Sequence, residues 1–336
     1  MRLSTPVLAI ALVLAVVTSL SGTVRAAAPR TVVTIKPVHA LVAGVMAGIA
    51  TPTLLVRGAA SPHDHALKPS EARALAAADL VVWVGPEMEG FFMKPARSLR
   101  SETTVLTLME LTRLTRLPAR RGGAWMHDHE EKHEHKHNEK HGHDEKDEHE
   151  HGEKHGEKHG HDHGDGFDAH VWLDPANARA IVEVLAETLS SLDSANAATY
   201  RANAERMIRD LHALEREIAG LLAPSRGTPY VVFHDAYQYF EARFGMNAVG
   251  SISISPERRP SAKRLVEIRR RIVETGAACI FSEPQFPPRL AETAREGTTA
   301  RLSTLDPLGV EIAAGPDAYV EMMRELALAL VVCLEG

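Results

Sequence analysis

Four side chains that can bind a metal lie near the carboxyl ends of predicted strands or just before a predicted helix. They are His63, His170, His234 and Asp306. In open α/β sheets, ligands bind at the carboxyl ends of the strands, so these side chains are expected to meet in one cleft. Three imidazoles and one carboxylate suit tetrahedral Zn²⁺, whereas more carboxylates would favour Mn²⁺. We therefore predict a zinc site formed by these four residues.

Other polar side chains near the same cleft are weaker candidates. His39 follows the first predicted strand and is interpreted as an auxiliary ligand or a gate. Glu283 ends another predicted strand, but it would be a fifth ligand and therefore ranks below Asp306. Asp64 and Asp235 each follow a candidate histidine directly, so they are candidates for carboxylates that orient a ligand imidazole.

A second set of histidines lies in a tract that cannot form a core. Residues 127–163 include 13 His, 13 Asp or Glu and six Lys, with no aliphatic or aromatic residue. Nothing there offsets the entropy of ordering, so we predict a disordered loop over residues 127–166. Its composition favours loose metal capture over a merely solvated acidic insert. The histidines are His127, His129, His133, His135, His137, His141, His143, His149, His151, His155, His159, His161 and His163.

The same tract contains two H-E-x-x-H matches, which begin at His129 and at His133. A metalloprotease needs this motif on an ordered helix with a packed face. In a tract built almost entirely from His, Glu, Asp, Lys and Gly, such matches arise from composition. They therefore do not indicate a protease.

The overall composition argues against nucleic acid as a partner. The 336 residues carry a formal charge of −6, and only 5% of them are aromatic. A general nucleic-acid binder would be basic, and a single-strand binder would need aromatic stacking platforms. With 44% hydrophobic residues, the chain is long enough for two ordinary domains.

The N-terminal residues have the layout of a secretory signal peptide. Arg2 supplies a positive charge, residues 7–17 are apolar, and small residues follow as far as Ala28. The apolar run is shorter than the ~20 residues that a membrane span requires. We predict cleavage after Ala26 and a mature chain in the periplasm. No cysteine lies near this point, so no lipid anchor is expected.

The two cysteines, Cys279 and Cys333, lie in a predicted strand and in the last predicted helix. They lack the spacing of a metal site. The alternatives are two buried free thiols and a disulfide. Export to an oxidising compartment favours the disulfide.

Short apolar strands alternate with helices in both halves of the chain. The predicted strands cover residues 31–35, 53–56, 80–84, 104–107, 230–233, 279–282 and 299–304. The predicted helices cover residues 40–50, 70–78, 236–244, 261–274, 288–296 and 317–334. This alternation is typical of parallel sheets covered on both faces. We predict an α/β fold with two (β/α) lobes.

A helical stretch over residues 177–222 separates the two sets. Pro175 fits a helix start and Asp193 fits a break, which leaves a linker helix over residues 195–222. A single long helix between the lobes is stiff and limits hinged opening and closing. We predict a signal peptide over 1–26, an N-terminal lobe over 27–175, a helical segment over 176–222 and a C-terminal lobe over 223–336.

Several segments around the candidate ligands resemble those of ZnuA-type proteins, the zinc-binding periplasmic components of bacterial ABC importers. These segments are Ser61–Asp64 with Lys68–Ser70, Val81–Glu89, His170–Leu173, Phe233–Tyr237, Ser282–Phe286 and Thr304–Gly309. The resemblance spans about residues 30–336. It implies two (β/α) lobes joined by a rigid helix, as in cluster A-I solute-binding proteins. It also implies a metal site in the interlobe cleft and a His- and acid-rich loop before the second histidine ligand.

The resemblance assigns the metal ligands to His63, His170 and His234. Manganese-type relatives have a carboxylate in place of His234, so the family pattern favours zinc. Some ZnuA proteins have a Glu immediately before the first histidine, whereas this chain has Pro62 there. That difference leaves Asp306 or a water as the fourth ligand.

The resemblance also implies a Cys279–Cys333 disulfide and a monomeric binding protein. Its partners would be a membrane permease and the cytoplasmic ATPase of that permease. Such a protein delivers Zn²⁺ without chemistry of its own. The alternatives are a zinc hydrolase, which needs an open coordination position and a general base, and an adhesin or metal buffer that works through the histidine-rich loop. The matched motifs favour transport.

Overall fold

The structure is a computed structural model that describes residues 27–120, 125, 166–253 and 260–336. The predicted signal peptide and the histidine-rich tract lie outside these residues. Within the described part of the chain, no helix is both long enough and apolar enough to cross a membrane.

The first sheet has four parallel strands in the order β2-β1-β3-β4. They are β1 (Thr31–Val33), β2 (Thr53–Leu54), β3 (Leu80–Trp83) and β4 (Thr104–Thr107). The helices of this region are α1 (Lys36–Val45), α2 (Pro69–Ala77) and α3 (Met93–Ala96). Sequence analysis starts α1 at residue 40, but the helix begins four residues earlier because Pro37 suits its first turn.

The second sheet repeats this topology with the strand order β6-β5-β7-β8, again all parallel. Its strands are β5 (Pro229–Val232), β6 (Asn247–Ser251), β7 (Cys279–Ser282) and β8 (Arg301–Thr304). Its helices are α6 (Gln238–Phe244), α7 (Ala262–Thr275), α8 (Arg289–Arg295) and α9 (Ala318–Glu335). Sequence analysis missed β6, because its sequence NAVGS contains no continuous apolar run.

Two long helices lie between the two sheets in the sequence. They are α4 (Pro175–Leu192) and α5 (Ala197–Leu221). The Asp174 carboxylate caps α4 by accepting a hydrogen bond from the backbone N–H of Ala176. The predicted break at Asp193 is confirmed, because α4 ends at Leu192 and a short 3₁₀ turn precedes α5. The 25 residues of α5 correspond to about 37 Å.

One continuous apolar core joins the two sheets through these helices. It includes Val33 and Val82 of the first sheet, Val232 and Phe281 of the second sheet, and Leu214 of α5. Separating the sheets would expose this core to water at a cost of about 25 cal/mol for each Å² of apolar surface. The predicted α/β fold with two parallel sheets is confirmed, and the shared core supports a stiff arrangement.

The predicted disulfide is also confirmed. Cys279 in β7 and Cys333 in α9 are bonded, with their Cα atoms 6.2 Å apart. The bond ties the last helix to the second sheet across a sequence separation of 54 residues.

Candidate metal centre

Three histidines meet from three separate segments, of which one follows β2, one precedes α4 and one follows β5. The Nε2 atoms of His170 and His234 are 3.3 Å apart, and the His63 ring centroid is 5.6 Å from the His170 ring centroid. One ring nitrogen of each histidine lies within 4.8 Å of the others. Within the described residues this is the one group of three or more His, Cys, Asp or Glu arranged to hold a metal ion. Tetrahedral Zn–N bonds of about 2.0–2.1 Å place two nitrogens about 3.3 Å apart.

His63 is presented by a short 3₁₀ turn over Pro62–Asp64 that follows β2. Ser61 caps this turn, because its hydroxyl accepts a hydrogen bond from the His63 backbone N–H at 3.3 Å. The His63 imidazole lies beside the rings of His170 and His234. Its Nε2 is buried without a hydrogen-bond partner. This nitrogen is therefore the one that can bind a metal.

His170 is oriented by a carboxylate two residues before it. Asp168 Oδ1 contacts the His170 backbone N–H at 2.9 Å and Nδ1 of its ring at 2.7 Å. With Nδ1 occupied, the ring turns Nε2 toward His234. Trp172 packs on the imidazole with ring centroids 5.3 Å apart, and its indole N–H donates to the Pro307 carbonyl.

His234 follows β5 and is oriented in the same way by a residue distant in sequence. Glu283, which follows β7, contacts the His234 backbone N–H at 3.3 Å and Nδ1 of its ring at 2.8 Å. The contact forms because β5 and β7 are neighbouring strands. Glu283 thus lies behind the His234 ring, on the side opposite the three-histidine group.

Burial and nearby charges shift the pKa values of the three imidazoles in different directions. Burial lowers the pKa of His63 and His170 well below the ordinary value, and the neighbouring rings lower both further. At His234 burial also opposes the charged form, but the charge and hydrogen bond of Glu283, together with the charges of Asp235 and Asp168, outweigh burial and raise the pKa. Burial raises the pKa of Asp168 to about 7. The rings of His63 and His170 are therefore neutral and ready for a metal near pH 7, while His234 holds a proton to a higher pH than they do.

Two other predicted ligands lie outside the three-histidine group. The Asp306 carboxylate accepts hydrogen bonds from the backbone N–H groups of Leu308 and Val310 and from the side-chain amide of Gln285. His39 is buried in α1, with its Nε2 3.0 Å from the Pro52 carbonyl. Asp306 as the fourth ligand stays a prediction, as does an auxiliary role for His39. The histidines over 127–163 lie outside the described residues.

The carboxylates that contact the rings of the candidate ligands are not those suggested by sequence adjacency. Asp64 is exposed. The side chain of Asp235 binds Arg120, with a distance of 3.0 Å between its Oδ2 and the arginine Nε. Sequence analysis missed Asp168, although an Asp two residues before a candidate histidine is a local signal for such a contact.

The cavity beside the three rings is small and mainly apolar. Its apolar lining comes from Pro62, Met88, Trp172, Phe286, Pro307 and Leu308. Burial of the rings in an apolar lining strengthens electrostatic interactions at the site. Converging imidazoles in an apolar cavity suit capture of a bare transition-metal cation.

Comparison with known proteins points to one family. The family model described as "Zinc-uptake complex component A periplasmic" matches residues 31–333. The high-affinity zinc uptake system protein ZnuA of Brucella abortus (strain 2308) is 49% identical over 304 residues, which cover 90% of this chain and 91% of that protein. The protein of the same name from Paracoccus denitrificans (strain Pd 1222) is 44% identical over 311 residues, which cover 92% and 93%.

Solved structures of other proteins share the fold of this chain. The periplasmic zinc-binding protein TroA from Treponema pallidum superposes with a TM-score of 0.71 at 19% identity, over 91% of this chain and 99% of that one. This similarity confirms the architecture of two parallel sheets with helices.

Proposed function

The chain belongs to the ZnuA family of zinc-uptake components, and from this membership we propose that it binds Zn²⁺ with high affinity in the periplasm for an ABC importer. The observation that carries the proposal is the geometry of the three histidines. The 3.3 Å between two Nε2 atoms is the separation that a tetrahedral zinc requires. In this proposal His63, His170 and His234 bind the ion directly, and Asp306 or a water completes the tetrahedron.

We further propose that the protein is a carrier and not an enzyme. A catalytic zinc needs a general base beside an open coordination position. The two carboxylates nearest the cluster, Asp168 and Glu283, both contact the Nδ1 atoms of ligand rings. Each is therefore used to orient a ligand, which supports binding over hydrolysis.

The partner in this proposal is a membrane permease with its cytoplasmic ATPase. We propose that the chain reaches the periplasm through the signal peptide over residues 1–26 and acts there as a monomer without a lipid anchor. The histidines over 127–163 would capture further zinc ions loosely. The lobes would be residues 27–175 and 223–336, joined by the helices of 176–222.

A competitive metal titration tests the proposal. Protein purified without an affinity tag would be titrated with Zn²⁺ and with Mn²⁺ against chelators of known affinity. We expect one tight zinc site, a marked preference for zinc, and loss of the tight site in His170→Ala, because two imidazoles cannot complete the tetrahedron. Tight zinc binding that survives His170→Ala would overturn the ligand assignment. A preference for manganese would overturn the proposed cargo.

A further inference from the structure

The chain approaches and leaves the histidine-rich tract through a short pair of antiparallel segments. The Ala119 N–H donates to the Gly166 carbonyl at 3.0 Å, and the Asp168 N–H donates to the Leu117 carbonyl at 2.8 Å. We name residues 117–120 and 166–168 the stem. The second segment of the stem ends two residues before His170, so the position of the stem bears directly on this ligand.

Arg120 fastens the stem to the second half of the molecule. Its guanidinium donates to both carboxylate oxygens of Asp235, the residue after His234. It also donates to Glu241 in α6, at 2.7 Å from Nη1 to Oε2. The Trp125 ring lies over the guanidinium of Arg120, with the ring centroid 3.8 Å from the guanidinium carbon. One side chain thus bridges the stem, the segment after a ligand, and α6.

Tyr239 makes a second bridge from the same helix. Its hydroxyl donates to the Asp168 carbonyl at 2.7 Å and accepts from the Leu117 N–H at 2.9 Å. Asp168 is the residue that orients the His170 ring. The helix α6 therefore contacts the stem beside one ligand and, through Arg120, the residue next to another.

These contacts are largely shielded from water. The side chains of Arg120, Asp235 and Glu241 are 19%, 18% and 7% exposed. Removing the guanidinium would leave two mostly buried carboxylates without a counter-charge. An arginine in this position therefore constrains its partners strongly, and its planar fork suits two carboxylates better than a lysine ammonium would.

We propose that Arg120 is a positioning residue for metal binding. By fixing Asp235 and, together with Tyr239, the stem, it holds His170 and His234 at the separation that a tetrahedral metal needs. These two ligands come from different halves of the chain, so their separation depends on contacts between the halves. The inference rests on the proposed zinc function. Outer-sphere changes of this kind typically weaken metal binding by roughly 10–100-fold.

The experiment compares full-length variants with a matched control. Arg120→Gln removes the bridge, Arg120→Lys keeps the charge without the fork, and Tyr239→Phe removes the second bridge. The control is Arg179→Gln, because Arg179 forms a similarly shielded pair with Glu215, at 2.6 Å and with side chains 15% and 21% exposed, between α4 and α5. Zinc affinity, chelator-driven zinc release and apo-protein melting would be measured for each.

We expect zinc affinity at least about tenfold weaker in Arg120→Gln, mainly through faster release. Arg120→Lys should retain part of the zinc affinity that Arg120→Gln loses. Arg179→Gln should leave the zinc affinity unchanged. The visible spectrum of bound Co²⁺ should shift in Arg120→Gln, since it reports ligand geometry and not stability. If Arg120→Gln fails to fold, the zinc affinity, zinc release and Co²⁺ spectrum of Arg120→Lys and Tyr239→Phe test the inference instead.

Wild-type affinity and an unshifted Co²⁺ spectrum in the Arg120 and Tyr239 variants would overturn the inference and leave the zinc function intact. Equal losses of affinity in Arg120→Gln and Arg179→Gln would also overturn it, since they would reflect general destabilisation. Absence of tight zinc binding by the wild-type chain would instead refute the proposed function.

Discussion

His170 and His234 each turn the Nε2 atom of the ring toward the cavity. They do this because a carboxylate contacts the Nδ1 atom on the opposite side of each ring. The contacts are 2.7 Å to Asp168 and 2.8 Å to Glu283. Each carboxylate also accepts from the backbone N–H of the same histidine. Such a contact fixes ring orientation and raises the basicity of the nitrogen that binds the metal.

Changing Asp168 to Ala should therefore weaken zinc binding without removing a ligand. We expect roughly a 10–100-fold loss of affinity, the usual cost of deleting an outer-sphere partner of a metal-binding histidine. Chelator competition at pH 7.5 would measure it. Asp64→Ala is the matched control, because Asp64 is exposed and adjoins His63. Equal affinities in the two variants would show that Asp168 does not orient a ligand.

The three histidines should also titrate separately in the metal-free protein. Burial lowers the pKa of His63 and His170, whereas Glu283 raises the pKa of His234. Zinc binds the neutral ring, so affinity should fall as pH falls through the raised pKa of His234, where a proton competes with the metal. NMR titration of the imidazole signals would assign each value. A His234 signal that titrates below that of His63 would contradict this account.

The clustering of His63, His170 and His234 could be predicted from sequence, because each follows or precedes an element whose end belongs to the cleft edge. Their supporting carboxylates could not be predicted in the same way. Glu283 lies 49 residues from His234, and their contact depends on β5 and β7 being neighbours. Asp168 contacts His170 only because the chain turns back over two residues.

At the scale of elements, the first turn of α1 is fastened to the loop that follows β8. The Lys36 ammonium donates to the carbonyls of Gly309, Val310 and Ile312 at 2.5–2.8 Å. The backbone N–H of Val310 in turn donates to Asp306. This loop therefore connects α1 to Asp306, the predicted fourth ligand.

Lys36→Gln should destabilise the fold, because three carbonyl groups would lose a charged donor. We expect a loss of about 2 kcal/mol in the free energy of unfolding, since a hydrogen bond to a charged group contributes roughly 1.5–3 kcal/mol. Urea denaturation of the metal-free protein would measure it. Lys68→Gln is the control, because the Lys68 side chain is 69% exposed. A free energy equal to that of the control would show that this contact contributes nothing.

The alternation of apolar strands and helices predicts most elements within a few residues, because parallel strands need helical crossovers. It fails at β6, where Gly250 and small polar residues leave no apolar pattern. That strand is recognisable only by its pairing with β5, which shifts register between Tyr230 and Val231. A strand such as β6 is missed because the local sequence pattern contains no information on which segments pair with each other.

At the scale of the whole molecule, the stem brings together Ala119 and Gly166, which flank the histidine-rich tract in sequence, close to the metal centre. The Ala119–Gly166 hydrogen bond is 3.0 Å long. We propose that histidines tethered at this point raise the local zinc concentration near the three histidines of the metal centre. Because the two segments of the stem are paired, a short linker could replace the tract between them.

Deleting residues 127–163 should leave the equilibrium affinity of the tight site nearly unchanged, because its ligands lie elsewhere. Total zinc per chain should fall toward one equivalent, and loading from submicromolar zinc should become slower. Stopped-flow loading of the intact and deleted chains would test this expectation. Equal loading rates would exclude delivery by the tract and leave it as a reservoir or a solvated insert.

The proposed function requires that three imidazoles bind one zinc ion directly. X-ray absorption of the zinc-loaded protein without residues 127–163 measures this most directly, because the remaining bound zinc then occupies one site. We predict three imidazole nitrogens at about 2.0–2.1 Å with one further light ligand, the tetrahedral pattern. Fewer than three imidazoles, or six oxygen-like ligands, would contradict the claim.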